Sequence, residues 1–526
     1  MARNLIVCAD GTGNKGGTTP DSNVYKIYKT VDKHFSGQVD DDVEINEQIL
    51  FYDNGVGTEK NKYLKALGGA FGFGFEDNVC DLYRFLARNY RPGDRIYFFG
   101  FSRGASTVRA CNGFIYRCGL AKGEGLRHAE LDGLVDEAFE AYKKFNTNPG
   151  LAENLKQDAT KSHGVVPIHF MGIWDTVVAL GFPKRTDVTG PVVAMLNAIF
   201  WVAEKVLDMI WPHNFYYYRL TKNVKHAYQA LAIDDERTAF WPYVWREAGR
   251  EKESVEQVWF SGMHSNVGGG YPRSGMASVP LYWMMLRAEK DGLVFEQDAL
   301  QMAFDDSNAH GRMYDSRSGF GSFYRYHPRE IEQLCQGRME GNIQLHQSVI
   351  ERLNERTDNY APGQIPAKFD LVESKLDVAP VARYPGRAPS WAKVRATIER
   401  WILWRKRLYG VMLTFSLAMV AAAYSLWVNP PLPKPEHVGL WGDLADILDY
   451  ILPDFFAGLI ELAVVQKPYL FVTASVFVIV YLFIRRWCRE KTVDACEDLR
   501  HLIIYEPVEG RDTDETQNTQ SDKGQA

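Results

Sequence analysis

The chain has 526 residues, a formal net charge of −6 and 46% hydrophobic content, enough for a large buried core and for two or three modules. A mildly acidic balance argues against nucleic acid as a partner of the whole chain. The 7 cysteines are odd in number, scattered and without metal-ligand spacing, which argues against a disulfide framework and fits a reducing compartment.

In chain order, Met1–Asp10 has too short an apolar run for a signal peptide. Asn4–Ala9 reads as a buried strand, with Asp10-Gly11-Thr12-Gly13 as the loop at its end. That loop lacks the lysine and spacing of a P-loop. Asp10 has no second cluster of ligands beside it, so neither a metal nor a cofactor is expected. Gly68–Gly74 reads as close packing ahead of a helix over Glu76–Tyr90. Asp94–Phe99 is a strand and Ala105–Cys111 a helix, and between them stands Gly100-Phe101-Ser102-Arg103-Gly104. Strand, G-x-S-x-G, helix is the nucleophile elbow of α/β-hydrolases. Its serine sits in a strained turn, and the following helix aims its N-terminal N–H groups at the site.

A serine nucleophile needs a base and a group that orients it. Pro167–Trp174 reads as a strand that delivers Asp175 at its end, and Glu256–Ser261 as a strand followed by a glycine-dense loop, Gly262–Gly270, that carries His264. Ser102, Asp175 and His264 are therefore the expected nucleophile, acid and base. Asp234 or Asp235 is the alternative acid, and His226 or His346 the alternative histidine. The oxyanion hole is expected from the backbone N–H of Arg103 and that of Gly11 or Thr12.

Between the acid and the histidine, residues 183–222 read as a lid-like insertion whose apolar stretch is Gly190–Trp211. Phe215-Tyr216-Tyr217-Tyr218 lines the same pocket or simply packs. Tyr360–Pro366 closes the catalytic domain, 1–366, and 367–400 reads as a linker kept extended by Pro380, Pro385 and Pro389.

These motifs carry a resemblance. Cys8-Ala9-Asp10-Gly11-Thr12-Gly13-Asn14, Tyr52-Asp53-Asn54-Gly55-Val56-Gly57-Thr58, the elbow extended to Ala105, Gly172-Ile173-Trp174-Asp175-Thr176-Val177 and His264–Tyr271 are together similar to a family of α/β-hydrolase domains. That family includes type VI secretion phospholipase effectors of the first Tle class. The resemblance spans roughly residues 1–365. It implies a triad at Ser102, Asp175 and His264, a phospholipid substrate, phospholipase A-type cleavage, an effector or defence role, and room for a regulatory or immunity protein as partner. One position departs: Asn266 stands where family members often carry Asp.

The C-terminal third changes character. Leu408–Val428 is an uncharged run of 21 residues, long enough at roughly 1.5 Å per residue for a bilayer core of about 30 Å. Pro468–Ile484 is a second uncharged run. Arg400, Arg405, Lys406 and Arg407 precede the first, and Arg485, Arg486, Arg489 and Lys491 follow the second, whereas the segment between them is acidic. The positive-inside rule then predicts a membrane module over 401–491 with the catalytic domain and both termini cytoplasmic, and with the family resemblance the expected membrane is a bacterial inner membrane. Trp441–Val465, broken at Pro453, is expected to lie on the outer surface. Residues 492–526 read as a cytoplasmic tail, disordered from about 507.

The expected molecule is thus α/β: an α/β-hydrolase fold with a mostly parallel sheet and a helical lid, anchored by a two-span hairpin. The expected chemistry is a cofactor-free, metal-free serine hydrolysis of membrane phospholipid. A soluble ester or thioester substrate, or membrane disruption by the hairpin itself, are the other readings.

Overall fold

The computed structural model describes residues 2–18, 20–40, 43–55, 74–177, 215–249, 254–375, 381–383, 389–429 and 439–505. Most of the expected lid (183–214) and the tail beyond 505 lie outside the described residues.

The strands are β1 (Ala2–Ala9), β2 (Gly37–Asp40), β3 (Val43–Asp53), β4 (Arg95–Phe101), β5 (Ile168–Trp174), β6 (Val224–Ala232), β7 (Val255–Phe260), β8 (Ile343–His346), β9 (Phe369–Val372) and β10 (Val381–Arg383). They form one sheet in the order β10-β9-β8-β7-β6-β5-β4-β1-β3-β2. Pairing is parallel from β3 across to β9 and antiparallel at the two edges, β2 with β3 and β9 with β10. This is a mostly parallel α/β architecture.

Both faces of the sheet are covered, which is why its central strands read as continuous apolar runs rather than alternating ones. The period of two survives in where the side chains go. Leu5, Val7, Ile96 and Phe98 face one layer, built on helices Phe75–Asn89, Arg103–Cys118 and His128–Lys143. Ile6, Cys8, Tyr97, Phe99 and Phe101 face the other, built on Asn23–Thr30 and Gly275–Lys290. Parallel register brings the C-terminal ends of β1, β4, β5, β6 and β7 to one edge, with Ala9 beside Gly100, Phe101 beside Trp174 and Ala232 beside Phe260. Open parallel sheets bind ligands beyond that edge.

Two expectations are corrected, for 367–400 and for 492–505, and the packing alternative holds for Phe215 and Tyr216. The described residues of 367–400 are not an extended linker. They supply β9 and β10, and Pro389 opens a helix running to Val428. A proline in the first helical turn gives up an N–H that has no partner there anyway. Phe215 and Tyr216 are buried core residues, their rings against Tyr142 and Phe75. Residues 492–505 are not tail: they finish the helix Pro468–Tyr505 and pack on the body.

The two long helices, Pro389–Val428 and Pro468–Tyr505, have two regimes. Their lower ends belong to the third core cluster, where Trp391, Ile398, Ile402, Cys496, Leu499 and Ile503 meet Trp259, Leu345 and Tyr360. Above that, each has an apolar stretch long enough to cross a membrane, only 6% and 0% buried. The helices touch each other there, as in the stacked pair Phe415–Phe477. Their far ends are joined through Leu440–Ile451 and the turns before Lys467, around Ala445, Ile460 and Val464.

Because Leu499 is fully buried, Leu499→Ala should destabilise the folded body by about 2–5 kcal/mol. Denaturant unfolding followed by tryptophan fluorescence checks this. A change below about 0.5 kcal/mol, as expected of an exposed surface position, would contradict the packing of this helix on the body.

Candidate active site

The elbow at the end of β4 is a steric necessity. A Cβ on Gly100 would lie 2.7 Å from the Ala105 Cα, and one on Gly104 2.1 Å from the Ala9 carbonyl oxygen. With both neighbours glycine, Ser102 takes φ 57° and ψ −119°, and the helix Arg103–Cys118 starts immediately after it. Its backbone is pinned on both sides: the Ser102 N–H donates to the Trp174 carbonyl at 3.0 Å, and the Val177 N–H to the Ser102 carbonyl at 3.2 Å.

Three sequence-identified residues form one hydrogen-bonded chain. Ser102 Oγ lies 2.7 Å from His264 Nε2, and His264 Nδ1 lies 2.5 Å from Asp175 Oδ2. Asp175 leaves β5 at a positive φ of 41°, held there by its N–H donating to the Ala230 carbonyl at 2.8 Å. His264 does not sit in an irregular loop; it opens a short helix, His264–Gly268. The imidazole lies between the Phe101 and Phe240 rings, at centroid distances of 4.7 and 5.0 Å.

The carboxylate of Asp175 is fully buried, and the sequence reading missed what makes that tolerable. Arg329, also fully buried, grips it with both ends of the guanidinium, Nη1 to Oδ1 at 2.6 Å and Nη2 to Oδ2 at 2.7 Å. The Ala232 N–H adds a third donor to Oδ1 at 3.0 Å. The guanidinium also donates to the carbonyls of Ala232 and Phe240. Burial alone would raise the Asp175 carboxyl, but the Arg329 charge and the His264 hydrogen bond outweigh it and hold it well below the usual range. Burial pushes the His264 imidazole down, and Asp175 recovers only part of that shift. His264 is therefore neutral near pH 7, the form that accepts a proton from a hydroxyl.

The rival residues have other partners. Asp235 accepts the His264 backbone N–H at 3.3 Å and a two-pronged contact from Arg237. Asp234 accepts the Gly262 N–H and the Tyr360 hydroxyl, and burial pushes it up to about 6. His226 stands in β6 beside Asp291, at 3.8 Å. His346 hydrogen-bonds Ser348 and Ser374, and burial pushes it down to about 3.

The loop after β1 approaches the elbow through Thr12, whose Oγ1 accepts from the Arg103 guanidinium. Gly11 is a poor oxyanion donor because its N–H is engaged by Asp10 Oδ1 at 2.6 Å. Asp10 itself is buried and accepts further hydrogen bonds from Asn14, Ser22 and Tyr52. Its lone pairs hold the loop together. The described residues contain no cluster of three or more His, Cys, Asp and Glu that would hold a metal.

Residues 3–287 match the family model described as T6SS, phospholipase effector Tle1-like, catalytic domain, a span that includes Ser102, Asp175 and His264 and ends before Arg329. The chain is 32% identical over 202 residues to an uncharacterized protein of Saccharomyces cerevisiae, YEL023C, covering 34% of this chain and 27% of that one. It is similar to an uncharacterized protein from Pseudomonas aeruginosa, with TM-score 0.34 and 16% identity, over 78% of this chain and 59% of that one. It is also similar to the Tle1 effector bound to the VgrG spike of the type 6 secretion system, with TM-score 0.25 and 17% identity, over 52% of each chain. The matched regions thus span about a quarter of the yeast relative and little more than half of these two structures.

Arg329→Met strands a buried carboxylate and should cost about 3–5 kcal/mol, with Arg329→Lys recovering part of it. Thermal and denaturant unfolding check this. A methionine variant as stable as the parent would mean that the guanidinium does not hold Asp175.

Proposed function

Because the chain belongs to the Tle1-like family of type VI secretion phospholipase effectors, in its catalytic domain, we propose that it is a membrane-anchored serine hydrolase of α/β-hydrolase fold that cleaves the carboxylic esters of membrane phospholipids. The observation that carries this reading is the Ser102–His264–Asp175 chain at the C-terminal edge of the sheet, inside the family-matched residues. Phospholipase A-type release of a fatty acid is the favoured outcome. An effector or defence role follows from the family.

In the proposed mechanism, His264 Nε2 takes the Ser102 proton as Oγ bonds to the ester carbonyl carbon. The resulting oxyanion accepts the N–H groups of Arg103 and Thr12, with Gly11 set aside. The tetrahedral intermediate collapses, the C–O bond to the leaving alcohol breaks, and His264 returns its proton to that alcohol. Water, deprotonated by His264, then attacks the acyl-serine and releases the carboxylic acid. Asp175 stays ionised throughout, steadying the imidazolium, and Arg329 keeps it ionised.

The anchoring part of the proposal is supported by the two exposed apolar helices and by the arginines at their lower ends. It places the catalytic body on the cytoplasmic side of a bacterial inner membrane, where tethering raises the effective concentration of lipid. Arg405, just below the first apolar stretch, pairs with Glu236 at 3.1 and 3.0 Å. This fixes the helix to the segment that follows β6.

Ser102→Ala should abolish fatty-acid release from phospholipid vesicles, followed by mass spectrometry; release equal to the parent's would refute a serine mechanism. With protonated His264 inactive, kcat/KM for a soluble ester should fall on acidification with a midpoint below the ordinary 6.5 and stay level above it. A midpoint above 6.5 would contradict a buried neutral base. Truncation at residue 401 would strip Ile402 and Leu499 from the core, so anchoring is better tested by excising 413–480 and closing the gap with a Gly-Ser linker. Vesicle hydrolysis should drop by about a hundredfold while soluble-ester hydrolysis changes little. Equal losses would remove the interfacial reading.

A further inference from the structure

A cavity of about 500 Å³ lies where the two long helices leave the catalytic body. It is lined by Leu408, Met412 and Leu482, from the beginnings of the apolar stretches, by Arg317, Arg405 and Arg485, and by the carboxylates of Asp234, Glu236, Asp315 and Asp358. The cavity therefore sits at the height where charge gives way to hydrocarbon-length sequence, which in an anchored chain is the headgroup layer.

The arginines around it are not equally satisfied. Arg405 is paired with Glu236, Arg489 with Asp315 and Arg486 with Glu490. Arg317 and Arg485 form no ion pair among the described residues, although the Glu236 charge acts on Arg317 from further away. Arg317 is only 8% exposed, its Nη2 reaches the carbonyls of Ser322 and Tyr324 at 3.2 Å each, and its Nε has no hydrogen-bond partner. The guanidinium lies 4.9 Å from the Tyr326 ring centroid. Burial pushes it below its ordinary value. Arg317 is a buried cation whose hydrogen bonds go to carbonyls rather than to a carboxylate, which is costly, and with the half-buried Arg485 at the same cavity it favours an anion there.

We propose that this cavity binds the phosphate of an anionic phospholipid headgroup, held by Arg317 and Arg485, with the lipid's apolar part along Leu408, Met412 and Leu482. The site is separate from the catalytic serine: Ser102 is not in its wall, although Met263, the neighbour of His264, is. The proposal rests on the membrane-anchored reading above.

The test uses the full-length chain carrying Ser102→Ala, so that bound lipid is not consumed. First, flotation with phosphatidylcholine vesicles establishes anchoring. Next, native mass spectrometry of protein extracted from equimolar phosphatidylcholine and phosphatidylglycerol counts retained lipid. Phosphatidylglycerol should be retained preferentially. Arg485→Gln, at a half-buried position with no ion pair to break, should lower that retention by about fivefold, Arg317→Gln should do the same, and Arg485→Lys should restore much of it. Equal retention of the two lipids, or full retention in the Arg485→Gln variant, overturns the lipid site and leaves anchoring intact. Displacement of phosphatidylglycerol by inorganic phosphate at matched concentration overturns the lipid in favour of free phosphate. A chain that does not float overturns anchoring and this site together.

Discussion

Everything at the candidate active site depends on keeping one carboxylate charged where there is no water. Asp175 is fully buried, and an isolated ion there would shed its charge by taking up a proton. Two Arg329 N–H groups, the Ala232 N–H and the His264 imidazole surround it. This set decides the chemistry. It keeps Asp175 an acceptor, which directs the proton of His264 to Nδ1 and leaves Nε2 facing Ser102. The positive φ at both Ser102 and Asp175 shows where the backbone is strained to bring the groups together. Hydrogen bonds from the β4–β5–β6 ladder, extended past the strand ends, absorb that strain.

The same segments tie the site to the two long helices. Glu236, which receives Arg405, adjoins Asp235, which holds the His264 backbone. Lys406 contacts His327, two residues before Arg329. The lower ends of the helices are therefore structural parts of the catalytic body, not a tether hung from it. Where the helices sit and where the triad residues sit are set by shared neighbours.

Some elements were legible in the sequence and others were not, for definable reasons. The buried strands β1, β4, β5 and β7 announce themselves as apolar runs ended by Asp10, the elbow, Asp175 and the His264 segment. β9 and β10 do not, because four and three residues are too few to display a period. Their strand character comes from pairing with β8 and with each other. The prolines of 367–400 suggested an extended spacer, yet Pro389 is a helix start. Residues 492–505 looked like tail because their apolar positions, Cys496, Leu499 and Ile503, are sparse and become core only against Trp391 and Ile402.

By itself the sequence determined the mostly parallel α/β class, the elbow, the order Ser102–Asp175–His264 and the two apolar stretches, because each is a local pattern: a run, a glycine spacing, a strand followed by an acid. Tertiary structure alone decided the rest. Nothing local distinguishes Arg329 among the chain's 60 lysines and arginines; it stands 154 residues from Asp175, and only the fold makes it the counter-ion. Likewise, Gly11 and Thr12 look alike as donors until Asp10 is seen to take the Gly11 N–H. Arg317 and Arg485 become one cation pair only when two distant segments meet at the foot of the helices. Charge neutralisation and hydrogen-bond satisfaction are long-range conditions, and a chain meets them only once it has folded.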